Sequence, residues 1–93
     1  MSMTPYYVYL LECADGTYYT GSAKDLEARL ALHQAGQASR YTRSRLPVEL
    51  VYAEECASLS AARKREAEIK SWPRVRKDAL VRESPQPRPG PTG

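Results

Sequence analysis

At 93 residues the chain has room for one domain with a thin core, and not for two. No stretch approaches the roughly 18 apolar residues of a membrane-spanning helix, and none reads as a signal peptide, so a cytoplasmic protein is expected. Net charge is +3, a mild excess that fits a nucleic-acid partner and equally an ordinary solvated surface.

The two cysteines, Cys13 and Cys56, lie far apart without metal-type spacing and read as reduced thiols. With one histidine besides, they cannot fill a structural zinc site without a carboxylate. Phenylalanine is absent, so tyrosine and Trp72 must supply the aromatic packing. Five of the seven tyrosines fall between Tyr6 and Tyr19. Such a cluster can be core-edge packing, a reactive site or a base-stacking surface.

Residues 1–5 form a short leader. Tyr6 to Glu12 is aromatic and aliphatic and reads as a strand, and Thr17 to Gly21 reads as its hairpin partner. Two loop lengths are plausible between them. A two-residue Asp15-Gly16 loop pairs Glu12 with Tyr19 and sends Tyr9 and Tyr19 to opposite faces. A three-residue Ala14-Asp15-Gly16 loop, with Gly16 left-handed in a bulge, pairs Cys13 with Thr17 and sets Tyr9 opposite Gly21. Tyr9 and Tyr19 then become diagonal neighbours on one face, roughly 7–8 Å apart at the backbone. We take the three-residue loop, because Gly21 then leaves open space for Tyr9.

Ser22-Ala23-Lys24-Asp25 has capping-box spacing and predicts a helix over about 23–35, stopped by Gly36. Its stripe is Leu26, Arg29, Leu30 and His33, and the i, i+4 pair Arg29 and His33 projects together. Residues 37–46 read as a polar loop carrying Arg40, Arg43, Arg45 and Tyr41. A third strand is expected over 48–54, with Val48, Leu50 and Tyr52 on one face. Ser58 or Ser60 caps a second helix over about 59–71 whose stripe is Leu59, Ala62, Glu66 and Ile69. Trp72-Pro73 ends it, and a short terminal helix over 74–82 turns Val75, Ala79 and Leu80 or Val81 inward. The segment 84–93, with four prolines and two glycines, reads as a disordered tail to a domain spanning 1–83.

Each long helix thus spends a core-facing position on a charge, and an unpaired buried ion costs several kcal/mol. Two readings follow. Arg29 and Glu66 form a salt bridge over the sheet, or both face a wet cleft lined by Tyr9, Tyr19, Arg29, His33 and Glu66. The cleft suits phosphodiester hydrolysis, which needs a base for water, positive charge on the phosphate and help for the leaving oxygen. One carboxylate can hold one Mg²⁺ with water and phosphate oxygens filling the shell. Singly, His33 reads equally as a helix-end residue, Tyr41 as a loop tyrosine or a stacking platform, and Trp72 as an anchor for the helix end.

The ordered set Tyr7-Val8-Tyr9, Tyr19-Thr20-Gly21, Arg29, His33, Tyr41-Thr42-Arg43, Pro47-Val48-Glu49-Leu50 and Glu66-Ala67-Glu68-Ile69-Lys70 resembles the GIY-YIG nuclease family, most closely its small single-domain bacterial branch. The resemblance runs from Tyr6 to Val81. It implies an α+β fold of order β-β-α-β-α with a short C-terminal helix, built on a three-stranded antiparallel sheet. It implies a metal-dependent endonuclease that hydrolyses DNA, single strands preferred, with Mg²⁺ or Mn²⁺ on Glu66. Tyr19 would be the base or water-positioning group, Tyr9 its support, Arg29 the phosphate clamp and His33 a proton partner. The DNA contacts would be Tyr41, Arg40, Arg43, Arg45, Lys70 and Arg74. Tyr7, Val8 and Thr20 depart from the triplet pattern, and the Asn that larger members use late in the domain has no counterpart, since the chain contains no Asn. The alternative is a catalytically weak or inactive nucleic-acid-binding module.

Overall fold

A computed structural model describes residues 5–83; the leader over 1–4 and the proline-rich segment 84–93 lie outside the described residues. The elements are β1 (Tyr6–Glu12), β2 (Tyr18–Ala23), α1 (Leu26–Gln34), α2 (Arg40–Arg43), β3 (Glu49–Cys56), α3 (Leu59–Lys70) and α4 (Arg74–Glu83). The strands make one antiparallel sheet of order β2-β1-β3. This is the expected α+β architecture. Among the described residues no helix is long and apolar enough to cross a membrane.

The hairpin takes the odd-length loop. Cys13 N–H donates to the Thr17 carbonyl at 2.8 Å, and Gly16 N–H to the Cys13 carbonyl at 2.9 Å. Gly16 sits at φ 85°, a conformation that disfavours a Cβ, so glycine belongs there. The resulting register sets Tyr9 opposite Gly21 and Leu11 opposite Tyr19.

The sheet buries a cluster on each face. Val8, Leu10, Val51 and Tyr52 meet Ala62 and Ile69 of α3, with Trp72, Leu80 and Val81 closing over them. On the other face Tyr9, Leu11, Ala23, Val48 and Leu50 pack with Tyr19, Leu26 and Leu30. The expected phase of β3 is corrected here. Leu10 pairs with Tyr52 but Leu11 with Leu50, so Val51 is an extra residue in a bulge. The bulge shifts the alternation by one, which moves Tyr52 to the α3 side while Val48 and Leu50 stay on the other.

Other boundaries also move. β2 continues to Ala23, and α1 is capped by Asp25, whose carboxylate accepts from Ala28 N–H at 3.0 Å. Ser22 does not cap, because its hydroxyl is spent on Glu66. Gly36, at φ 77°, ends α1 as expected. The polar loop contains α2, a single turn capped by Ser39. Ser58 caps α3 as expected. Leu59 and Val75, expected to face inward, are both exposed, Val75 at 71%.

Ile69 is fully buried between α3 and the sheet. Ile69→Ala is expected to lower the unfolding free energy by about 2–5 kcal/mol, measured by urea denaturation.

Candidate active site

Tyr9 lies in the central strand, and its ring crosses the glycine opposite it. A Cβ on Gly21 would sit 2.5 Å from the Tyr9 hydroxyl oxygen and 3.1 Å from the Tyr19 ring. Only a bare backbone allows that passage. The hydroxyl ends 2.8 Å from His33 Nε2, and His33 Nδ1 lies 2.8 Å from Thr42 Oγ1. Tyr9, His33 and Thr42 are each essentially buried. The chain Tyr9–His33–Thr42 thus links β1, α1 and α2.

Tyr19 completes an aromatic group with its ring half-buried beside them. Ring centroids are 6.4 Å apart for Tyr9–Tyr19, 5.0 Å for Tyr19–His33 and 6.1 Å for Tyr19–Tyr41. Tyr19 meets the imidazole edge to face, so the hydrogen bond to His33 comes from Tyr9, not from Tyr19. Tyr41 is partly exposed and carries the Arg45 guanidinium 3.8 Å above its ring.

Arg29 is exposed, 3.5 Å from the Ser22 carbonyl, and its positive charge favours the ionised form of Tyr9. Glu66 approaches from the other side of the sheet. Its Oε1 accepts from the Ser22 hydroxyl at 2.7 Å, and its Oε2 lies 3.1 Å from Lys70 Nζ. Ser22 belongs to the α3-facing side of β2, so Glu66 meets the edge strand from the side opposite Tyr9. The salt bridge considered between Arg29 and Glu66 is replaced by these two contacts.

Burial governs the electrostatics of Tyr9 and His33 alike. Burial first, then the neighbouring Tyr19, pushes the Tyr9 hydroxyl up to about 12, while Arg29 pulls the other way. Tyr9 therefore holds its proton at neutral pH and is no general base. Burial, with Arg29 adding to it, lowers His33 and keeps the imidazole neutral.

The structure joins Tyr9, Tyr19, His33 and Tyr41 in one aromatic group, while Arg29 and Glu66 both meet Ser22 of the edge strand, at its carbonyl and its hydroxyl. The expected DNA-contacting arginines divide. Arg40 and Arg43 are exposed. Arg45 is engaged with Asp15 at 3.0 Å and with Tyr41. Arg74 lies over the Tyr18 ring, donates to the Gly16 carbonyl and pairs with Asp78. These two brace the hairpin turn from either side. Ser22 and Thr42 were missed as site residues. Ser22 had been read as a cap, and Thr42 stood only inside a matching segment. The Ser39-x-x-Thr42 spacing was the available signal for α2.

Residues 5–78 match the family model of the GIY-YIG catalytic domain. The chain belongs to the GIY-YIG family. A UPF0213 protein of Natronomonas pharaonis is 54% identical over 76 residues, covering 82% of this chain and 89% of that one. A UPF0213 protein of Staphylococcus aureus is 47% identical over 81 residues, covering 87% and 99%. The solution structure of a UPF0213 protein from Bacillus halodurans matches with a TM-score of 0.58 at 38% identity, covering 89% of this chain and 88% of that one. A solution structure from E. faecalis matches at 0.59 and 32%, covering 87% and 86%. The second triplet's glycine is Gly21, and the close approach of Tyr9 gives that GIY-YIG position its physical reason.

Gly21→Ala is expected to push the Tyr9 ring aside, break its bond to His33 and cost about 1–3 kcal/mol, read by urea denaturation and by the His33 ring resonances. A second expectation concerns alkaline pH. Tyr9 titrates near 12 when folded and near 10 when unfolded, so its stabilising contribution is complete below pH 10 and is lost as pH rises toward 12. Tyr52, raised to about 12 by burial and then by Glu54, adds to the same loss. Denaturation midpoints measured from pH 9 to 12 should fall, and less steeply in Tyr9→Phe.

Proposed function

We propose that the chain is a divalent-metal-dependent endonuclease that hydrolyses DNA phosphodiester bonds, with single-stranded DNA preferred. This reading is supported by the packed group of Tyr9, Tyr19 and His33, with Arg29 and Glu66 both bound to Ser22 of the adjoining edge strand. Nothing in the packing of a small core calls for these groups together.

Glu66 suits a hard cation. It is a half-buried carboxylate with one oxygen already oriented by Ser22, and the cation on its other oxygen, Lys70, is largely exposed and free to leave. Among the described residues no three His, Cys, Asp or Glu side chains cluster, so an ion here would be held by Glu66 with water and phosphate oxygens. Mg²⁺ or Mn²⁺ fits that donor set. Bound there, the ion would supply positive charge to the scissile phosphate.

Arg29, exposed at the mouth of the cleft, clamps phosphate oxygens through its planar fork. Tyr9 supports Tyr19, which would orient or deprotonate the attacking water. His33 holds Tyr9 in place through Nε2. Tyr41 offers a partly exposed ring next to Tyr19, and a base can stack there only when it is free of a duplex. Arg40, Arg43 and the released Lys70 contact the backbone. A chain of net charge only +3 binds weakly, with dependence on salt and little on sequence.

Labelled single- and double-stranded DNA incubated with Mg²⁺ or Mn²⁺ should be cut, single strands faster. Glu66→Ala and Tyr19→Phe should each lower the rate on the order of 100-fold or more. DNA binding without metal-dependent cleavage would instead identify a binding module, the reading that the missing Asn favours.

A further inference from the structure

We propose that Thr42 is a positioning residue for the site, one that fixes the tautomer of His33 and thereby the direction in which the Tyr9 hydroxyl faces the cleft. The proposal rests on the nuclease reading above and adds a residue to it. Thr42 is completely buried, lies on the one-turn helix α2, and is 2.8 Å from His33 Nδ1.

The proton directions follow from what each atom can do. A buried phenol must place its proton on an acceptor, since an unmet donor forfeits its hydration with nothing in return. The group within hydrogen-bonding distance that can take it is His33 Nε2, at 2.8 Å. Arg29 has no acceptor to offer. Nε2 must therefore be the bare nitrogen, and in a neutral ring the proton sits on Nδ1. Nδ1–H then donates to Thr42 Oγ1. The Thr42 hydroxyl in turn has two Ser39 oxygens to donate to, Oγ at 3.3 Å and the carbonyl at 3.4 Å, while the Thr42 backbone N–H donates to Ser39 Oγ at 3.1 Å. The chain runs one way, from Tyr9 through His33 and Thr42 to Ser39. Burial and the nearby Arg29 both disfavour the doubly protonated ring.

The direction matters at the open end. With its proton committed to Nε2, the Tyr9 oxygen presents only lone pairs to the cleft. It can accept from Arg29 and from a water beside Tyr19. With the opposite tautomer, Nε2–H would fill a lone pair of Tyr9 and turn the phenol proton outward, toward a guanidinium that can only donate. Thr42 keeps the first arrangement by offering Nδ1–H an acceptor whose own proton is already engaged. Sequence pattern gives no hint of this, because a threonine in a polar loop reads as surface.

His33 is the single histidine of the chain, so its ring nitrogens can be observed without overlap. The test is ¹⁵N NMR of the full-length protein, free of any histidine tag, at neutral pH, beside steady-state cleavage of single-stranded DNA. The wild-type ring should carry its proton on Nδ1. Thr42→Ser should keep that tautomer and turnover near wild type. Thr42→Val should move the proton toward Nε2 and lower kcat on the order of tenfold with KM little changed. An Nε2–H ring in the wild type overturns the proposal, as does Thr42→Val with the wild-type tautomer and turnover. Should Thr42→Val fail to fold, Thr42→Ala takes its place, and a wild-type tautomer in that variant overturns the proposal equally. The tautomer is read without any cleavage, so an inactive protein with an Nδ1–H ring fails the nuclease reading alone.

Discussion

The passage of the Tyr9 ring over Gly21 is the constraint on which the site depends. It requires the two residues to be directly opposite, which requires the three-residue loop with Gly16 in the left-handed region. It also requires the absence of a side chain at Gly21, where a Cβ would overlap the tyrosine. Once the ring is across, its hydroxyl reaches beyond β2 to α1, and His33 becomes its partner. One backbone approach thus carries the end of a buried side chain from the central strand past the edge strand, beside the half-buried Tyr19.

The carboxylate arrives by the opposite route. α3 packs on the other face through Ala62 and Ile69, and places Glu66 at the rim, where Ser22 bonds it. Ser22 and Gly21 are neighbours in one strand, so alternation sends one toward α3 and leaves the other under Tyr9. The edge strand therefore serves both halves of the site. It also explains why Arg29 and Glu66, each on a core-facing stripe, need not neutralise one another. Each leaves its core at the rim, where water and neighbouring polar groups replace the missing ion pair.

Around this centre the cations sort by what holds them. Arg45 and Arg74 grip the hairpin turn through Asp15 and the Gly16 carbonyl, and both also lie on tyrosine rings. Arg65 is bound between Glu54 and Glu68. These three stiffen the fold, whereas Arg40 and Arg43 remain exposed on α2. Most of the basic side chains among the described residues carry no ion pair and stay exposed, Arg63, Lys64 and Arg82 with Arg40 and Arg43.

The strands, the hairpin loop, the stops at Gly36 and Pro73 and the family motif were legible in the sequence, because each rests on local backbone preference or on spacing. Gly16 and Gly21 even carried the register. The bulge at Val51 was not legible, since nothing in an apolar run marks where an extra residue is inserted, and it reversed the side on which Tyr52 lies. Nor was the use of Ser22, whose hydroxyl suits a cap as well as a carboxylate. Local pattern was enough for the hairpin register, which sets Tyr9 opposite Gly21, and for the family motif. Tertiary packing alone settled that Tyr9 rather than Tyr19 bonds His33, that Glu66 binds Ser22, and that Thr42 stands behind the imidazole. These are contacts between groups distant in the chain, set by how two helix layers pack on a twisted sheet, and local pattern holds no record of them.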